Sequence, residues 1–255
     1  METRLSDRVR WAYTAATTAV CVTVFEVVMV LTPRARRVDR YCALVRGWAR
    51  ALLVGIPYTV EHRERVPRGG GVLFVSNHQS NVDIPLLHAA LPVPFRWMCR
   101  DDLFAVPFLG RALRRMEAIE VYRGDRRRTL EAVRHALAAL EAGSNVVIFP
   151  EGTWGDAEGR MRPWKAGVLA LIRKSGATVV PLTIQGSHVV NPPFTSRIEP
   201  GRVTVHVHEP VPAASWARLG DDEALAELRS VIGRELPHGA EPAVLRPGMA
   251  GDAVL

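Results

Sequence analysis

The stretch Ser76-Asn77-His78-Gln79-Ser80-Asn81-Val82-Asp83 carries an imidazole and a carboxylate five residues apart, where one element turns into the next. Before it, Val72-Leu73-Phe74-Val75 is an apolar run of strand length; after it, Ile84-Pro85-Leu86-Leu87 opens a helix. An Asp at a helix start is held by the exposed amides of the first turn, and a turn of this length brings its carboxylate back to the imidazole. That contact fixes the tautomer of His78 and leaves the other ring nitrogen to take a proton from a hydroxyl. The spacing alone is not specific. With 8 His and 10 Asp in 255 residues, about 0.3 such pairs arise by chance, and the alternative is that Asp83 is a plain helix cap and His78 a loop histidine.

Two further groups stand just past predicted strands. Arg123 follows the strand-like residues 118–122, and Phe149-Pro150-Glu151-Gly152-Thr153 completes and follows the apolar strand 145–149. In open α/β sheets, ligands bind beyond the carboxyl ends of the strands, so His78, Arg123 and Glu151 share one rim if the sheet is mainly parallel there. Residues 164–167, Trp-Lys-Ala-Gly, open the next predicted helix, and Val180-Pro181 lies inside a buried strand over 178–184. A proline there implies an edge or a bulge.

In this order, these blocks resemble the glycerolipid acyltransferase family typified by 1-acylglycerol-3-phosphate acyltransferase, and the resemblance runs over roughly residues 60–210. It implies an α/β fold with a mixed, largely parallel sheet flanked by helices. It also implies transfer of a fatty acyl group from acyl-CoA or acyl carrier protein to the free hydroxyl of 1-acylglycerol-3-phosphate, giving phosphatidic acid. His78 and Asp83 then carry the catalysis. Arg123, Glu151, Gly152, Thr153 and Lys165 contact substrate, and Asn77, Ser80, Phe149, Pro150 and Pro181 support them. Neither a metal nor a cofactor is expected beside the acyl thioester. Two positions depart from the family pattern. Glu117 stands six ahead of Arg123, where the family has Gly, and Trp154 follows Thr153, where it has Arg. Either Arg160 or Arg162 replaces that second phosphate ligand, or the acceptor is another lipid: a lysophospholipid, an amino-acid lipid or a glycolipid. A membrane-bound thioester hydrolase is the rival within enzymes, and a non-catalytic lipid-binding relative is the rival outside them.

Positioning these groups takes one large domain. The pattern alternates strands at 58–62, 72–76, 95–99, 118–122, 145–149, 178–184 and 203–207 with helices at 83–91, 103–116, 129–142, 168–174 and 221–236. Residues 67–71, Pro-Arg-Gly-Gly-Gly, read as a hairpin loop between the first two strands. His206 and His208 lie on one face of the last strand, either as a metal pair or as part of a half-exposed surface. His188 has no partner nearby in sequence.

Ahead of the domain, residues 11–32 are almost wholly apolar apart from Glu26, long enough to span a bilayer, with a buried helix or a signal peptide as alternatives. Arg34, Arg36, Arg37 and Arg40 follow, suited to anionic head groups at a cytoplasmic surface. Residues 41–56 place Arg46 and Arg50 on one face, as in a helix lying in the interface or one packed on its own domain. The expected organisation is a membrane-associated helical pair over 1–56, a catalytic domain over 57–236 facing the cytoplasm at the cell membrane, and a flexible tail over 237–255. The net charge of +7 suits an anionic membrane; without a basic tail or an aromatic-interleaved basic strand, it argues against nucleic acid as a partner. Cys21, Cys42 and Cys99 show neither metal spacing nor a disulfide framework.

Overall fold

The computed structural model describes residues 5–31, 37–107, 109–122, 124–165, 167–195, 197–216 and 218–243. Helices α1 (Leu5–Leu31) and α2 (Arg37–Leu52) precede β1 (Tyr58–Glu61), β2 (Val72–Ser76), α3 (Asp83–Ala90), β3 (Arg96–Arg100), α4 (Leu109–Arg115) and β4 (Ile119–Val121). Then come α5 (Arg126–Glu141), β5 (Val146–Ile148), α6 (Gly167–Ser175), β6 (Thr178–Gln185), α7 (Ser187–Val190), β7 (Val203–Val207), α8 (Ala213–Trp216) and α9 (Asp221–Gly233).

The strands form one seven-stranded sheet in the order β1-β7-β6-β2-β5-β3-β4. Every neighbouring pair is parallel except β6 and β7. The five strands from β6 to β4 therefore point their carboxyl ends to one rim, and β1 with β7 runs the other way. Since β1 and β2 are separated by two strands, the glycine-rich 67–71 loop is not a hairpin. It packs against the turn after α5 instead, where a Cβ on Gly70 would meet the Gly143 carbonyl oxygen at 1.9 Å.

Alternation along the strands divides the core. Phe74 faces α2 and α3 with Leu86 and Leu87, whereas Leu73 and Val75 face α5, α6 and α9 with Ala136, Leu171 and Leu228. Pro181 is buried in β6 and pairs in register with Val75. On its other side the register slips: Leu182 opposes Val207, yet Val179 opposes Val211, three steps against four. The extra residue is a bulge, which spares the proline an amide it cannot supply.

Helix α2 is packed on its own domain. Ala49 and Leu53 are buried, and the Arg46 guanidinium donates to the Pro92 carbonyl at 2.7 Å. Helix α1 runs antiparallel to α2, with Tyr13 Oη donating to Ala51 O at 2.9 Å and Trp48 Nε1 to Thr18 Oγ1 at 3.2 Å. No helix among the described residues is long and apolar enough to cross a membrane, so the spanning reading of 11–32 is not carried forward. Arg34 and Arg36 lie outside the described residues. The three arginines after Asp125 form the first turn of α5. Asp125 caps that turn, accepting the Arg128 N–H at 3.0 Å, and the Arg128 guanidinium sits over the Tyr122 ring at 4.4 Å. The tail is not loose up to 243. Ala243 N–H donates to Met161 O at 2.8 Å, and Arg229 reaches Ala240 O at 3.1 Å.

Candidate active site

His78 lies two residues past the end of β2, and Asp83 is the first residue of α3. His78 Nδ1 and Asp83 Oδ2 are 2.8 Å apart. The same oxygen accepts the backbone N–H groups of Gln79 at 2.7 Å and Ser80 at 2.9 Å. Asp83 is thus held by the amides of the turn before the helix, not by those of the helix's first turn as its position suggests. Three donors on one buried carboxylate oxygen place a proton on Nδ1 and leave the Nε2 lone pair as acceptor. Among the described residues, Nε2 has no protein partner. The ring lies flat on Phe149, 4.0 Å between centroids and 7° between planes, so it cannot turn away from Asp83 without losing that stack.

The turn is tied down on every side. Asn77 bonds Ile184 through both its amide atoms, at 2.7 and 2.8 Å. Gln79 Nε2 donates to Gly159 O at 2.9 Å, and its Oε1 lies 3.1 Å from His188 Nδ1, which gives His188 a bracing role. Ser80 Oγ donates to Asn191 Oδ1 at 2.8 Å.

Glu151 does not contact the cavity. It is 1% exposed, and its two oxygens accept the backbone N–H groups of His78 at 2.8 Å and Arg162 at 2.7 Å. Burial pushes this carboxyl up to about 8, opposed by the two amides and the Arg229 guanidinium. Its assignment as a substrate contact is corrected to a brace between two loops. Gly152 supplies the turn that follows, at φ +68° with its N–H on Phe149 O. Gly155 permits the close approach of the next loop, its N–H donating to His78 O at 2.7 Å where a Cβ would strike Arg160 O.

Pro150, Gly152, Thr153 and Lys165 line a cavity that opens on His78. Lys165 is brought there by its backbone N–H on Pro150 O at 2.9 Å. Arg123 lies outside the described residues; β4, which it follows, ends on the same rim as β2 and β5. Neither Arg160 nor Arg162 replaces the expected ligand. Arg160 is committed to Asp156 at 2.8 Å and Glu158 at 3.2 Å, and Arg162 is buried with Nε on Trp154 O at 2.7 Å. Glu117 sits at φ +52°, a left-handed position that suits the glycine of the family pattern, and its carboxylate pairs with Arg96 away from the cavity.

The cavity, about 650 Å³, was not foreseen from the sequence. Its walls come from six helices and three strands, Phe25, Trp48, Trp97, Leu113 and Leu171 among them. Two ionisable groups in its wall are kept neutral. Burial, with Arg46 nearby, holds His88 down to about 3, and its Nε2 accepts Trp97 Nε1–H at 2.8 Å. Burial, with Glu120 and Asp102, pushes the Cys99 thiol up to about 12. The arrangement is a mainly apolar cavity bordered by an oriented imidazole base, with Lys165 and Arg100 as the cations in its wall. On the far strand, His206 pairs with Glu61 and His208 with Thr183, so each imidazole has its own structural partner.

The acyltransferase family model matches residues 57–185. A chloroplast 1-acyl-sn-glycerol-3-phosphate acyltransferase of Arabidopsis thaliana is 28% identical, covering 82% of this chain and 61% of its own. One from Chlamydomonas reinhardtii is 30% identical over 84% and 65%. The chain therefore spans under two-thirds of the length of these two relatives. The crystal structure of the 1-acyl-sn-glycerophosphate acyltransferase PlsC from Thermotoga maritima superposes with a TM-score of 0.79 at 21% identity, covering 91% of this chain and 95% of that one. That likeness shows the fold, and the family match covers the His78 turn and the Glu151 loop together: the chain belongs to the acyltransferase family.

Proposed function

We propose that this protein transfers a fatty acyl group from a thioester, acyl-CoA or acyl carrier protein, to the free hydroxyl of 1-acylglycerol-3-phosphate, giving phosphatidic acid. The observation that carries this reading is the Asp83-oriented imidazole of His78 in the wall of a mainly apolar cavity of about 650 Å³. The acyl chain of the donor lies in that cavity, which places its thioester carbon near His78. The acceptor hydroxyl attacks that carbon while Nε2 takes its proton. The tetrahedral intermediate then expels the thiolate, which receives the proton back from the imidazolium. Asp83 stabilises the imidazolium without itself gaining a proton. Lys165 and Arg123 hold the acceptor phosphate as ammonium and guanidinium partners.

Trp154, with Arg160 and Arg162 committed elsewhere, favours a second reading in which the same chemistry serves another lipid acceptor. The protein works on an anionic membrane at its cytoplasmic face, where its lipid substrate resides. Helix α1 supports this by turning one face to the cavity and another apolar face outward.

Purified protein given a labelled acyl thioester and a panel of lysolipid acceptors tests the proposal. Labelled phosphatidic acid, absent with His78→Ala, is the expected result. Free acid released at a rate that no acceptor changes would make the protein a hydrolase and refute transfer.

A further inference from the structure

Phe194 holds a left-handed backbone, φ +62°, that an aromatic residue does not adopt freely. It is also 54% exposed despite being apolar. Its ring meets Trp154 edge to face, centroids 5.0 Å apart at 76°, and Trp154 stands 6.1 Å from the His78 ring. All three border the same cavity.

A strained non-glycine residue persists only where its surroundings over-determine it, and such residues gather at functional sites. Here the restraint starts in the catalytic turn. Ser80 Oγ donates to the buried Asn191, whose amide nitrogen bonds Thr195 O at 3.1 Å and Arg197 O at 2.7 Å. Thr195 returns to Pro192 O through both its N–H and its hydroxyl. The turn that carries the base thus also sets the loop that presents Phe194.

We propose that Trp154 and Phe194 form an apolar lip at the edge of the cavity, holding the acyl chain already present on the acceptor lipid beside the chain being transferred. This rests on the acyl-transfer reading above. Transfer to a lysolipid brings two hydrocarbon chains to one imidazole. A cavity of about 650 Å³ is the size of a site for one ligand, so the second chain needs apolar surface beside the mouth. The pair supplies it: large aromatic area, partly exposed, next to His78. The loop offers no competing charge at this point, because Arg160 is paired with Asp156 and Glu158, and Arg162 is buried behind Trp154.

The full chain is assayed with a palmitoyl thioester and two lysophosphatidic acids that differ only in carrying a hexanoyl or a palmitoyl chain. Phe194→Gly removes the ring at a backbone position glycine occupies without strain, and Phe194→Leu keeps apolar surface there. The expected result is that Phe194→Gly lowers the palmitoyl-over-hexanoyl ratio of kcat/KM about tenfold, chiefly through KM of the long-chain acceptor, with Phe194→Leu in between. A ratio equal to that of the wild type, or an equal fall on both acceptors, overturns the lip. If the wild type acylates another lysolipid and not this one, the acceptor reading fails, and the same chain-length series on that lysolipid decides the lip. Free acid released without regard to acceptor overturns both.

Discussion

The Glu151 carboxyl group holds the main chain of His78: its Oε1 accepts the His78 N–H at 2.8 Å, while its Oε2 takes the Arg162 N–H at 2.7 Å. Arg229 stands behind this bridge, its guanidinium donating to the Arg162 and Met161 carbonyls at 2.7 and 2.8 Å. The base is therefore positioned from α9, some 150 residues further along the chain, through a buried acid.

Glu151→Gln keeps the shape but turns one acceptor into a donor facing a backbone N–H. A buried amide left unpaired costs about 1–3 kcal/mol, and kcat is expected to fall at least about tenfold because the His78 turn loses its tie. The pH dependence carries a sign. The folded acid keeps its proton up to about 8, whereas a free glutamate loses it near 4.5, so the native state binds more protons across that window. Its contribution is full below about 4.5 and lost as pH rises through about 8. Denaturant titrations should show wild-type stability falling from pH 5 to 8 more steeply than that of Glu151→Gln. Parallel slopes would contradict this assignment.

Asp83→Asn isolates the charge. The amide oxygen can still accept the three donors that converge on Oδ2, yet it offers no anion to the imidazolium. A loss in kcat of roughly a hundred- to ten-thousandfold is expected, with the thermal unfolding midpoint near that of the wild type. Steady-state rates beside a melting curve check it, and retention of most activity would remove Asp83 from the mechanism.

The sheet, the element order and the His78–Asp83 contact were legible because each depends on local pattern. Apolar runs of strand length were read to end at Ser76, Tyr122 and Phe149, within one residue of the observed ends at Ser76, Val121 and Ile148, and His78, Arg123 and Glu151 past them were read to one rim, where β2, β4 and β5 do end. The cavity was not legible, because its wall gathers Phe25, Trp48, Trp97 and Leu171 from elements far apart in sequence. The inward turn of Glu151 was hidden for the same reason. An acid in a turn reads as a ligand until the amides of residues 78 and 162 are seen to claim it. Pro181 gave a clear signal, and the bulge opposite it is the answer to its missing N–H. Residues 237–243 misled by composition: Pro, Gly and Ala suggest fraying, yet Arg229 and Met161 hold the segment in place.

Glu117 is a matter of backbone and not of acceptor. At φ +52° an L-residue is held in a conformation that costs roughly 1–2 kcal/mol, so Glu117→Gly relieves strain. Glycine's extra freedom in the unfolded chain and the lost exposed pair with Arg96 offset the gain. The net change in stability is expected to stay within about 1 kcal/mol. Because Glu117 stands off the cavity wall, the ranking of acceptors should not move. A shift in that ranking, measured on the same panel as the wild type, would show that this position reads the head group after all.

Helix α1 presents Val9, Tyr13, Val20, Val24 and Val27 to the outside, between 45% and 62% exposed. At 100° per residue these five fall within one narrow stripe. The opposite side carries Val22 and Phe25, both buried and both bordering the cavity. A helix apolar on both sides suits the proposed placement at a lipid surface, one side on the cavity and the other on the interface. Val20→Asn, Val24→Asn and Val27→Asn together should leave the fold intact, since all three side chains are solvent-facing. Partition onto vesicles containing anionic lipid should fall roughly tenfold or more from the lost apolar area alone. Co-sedimentation of wild type and triple variant measures it. Equal binding would move membrane contact away from α1.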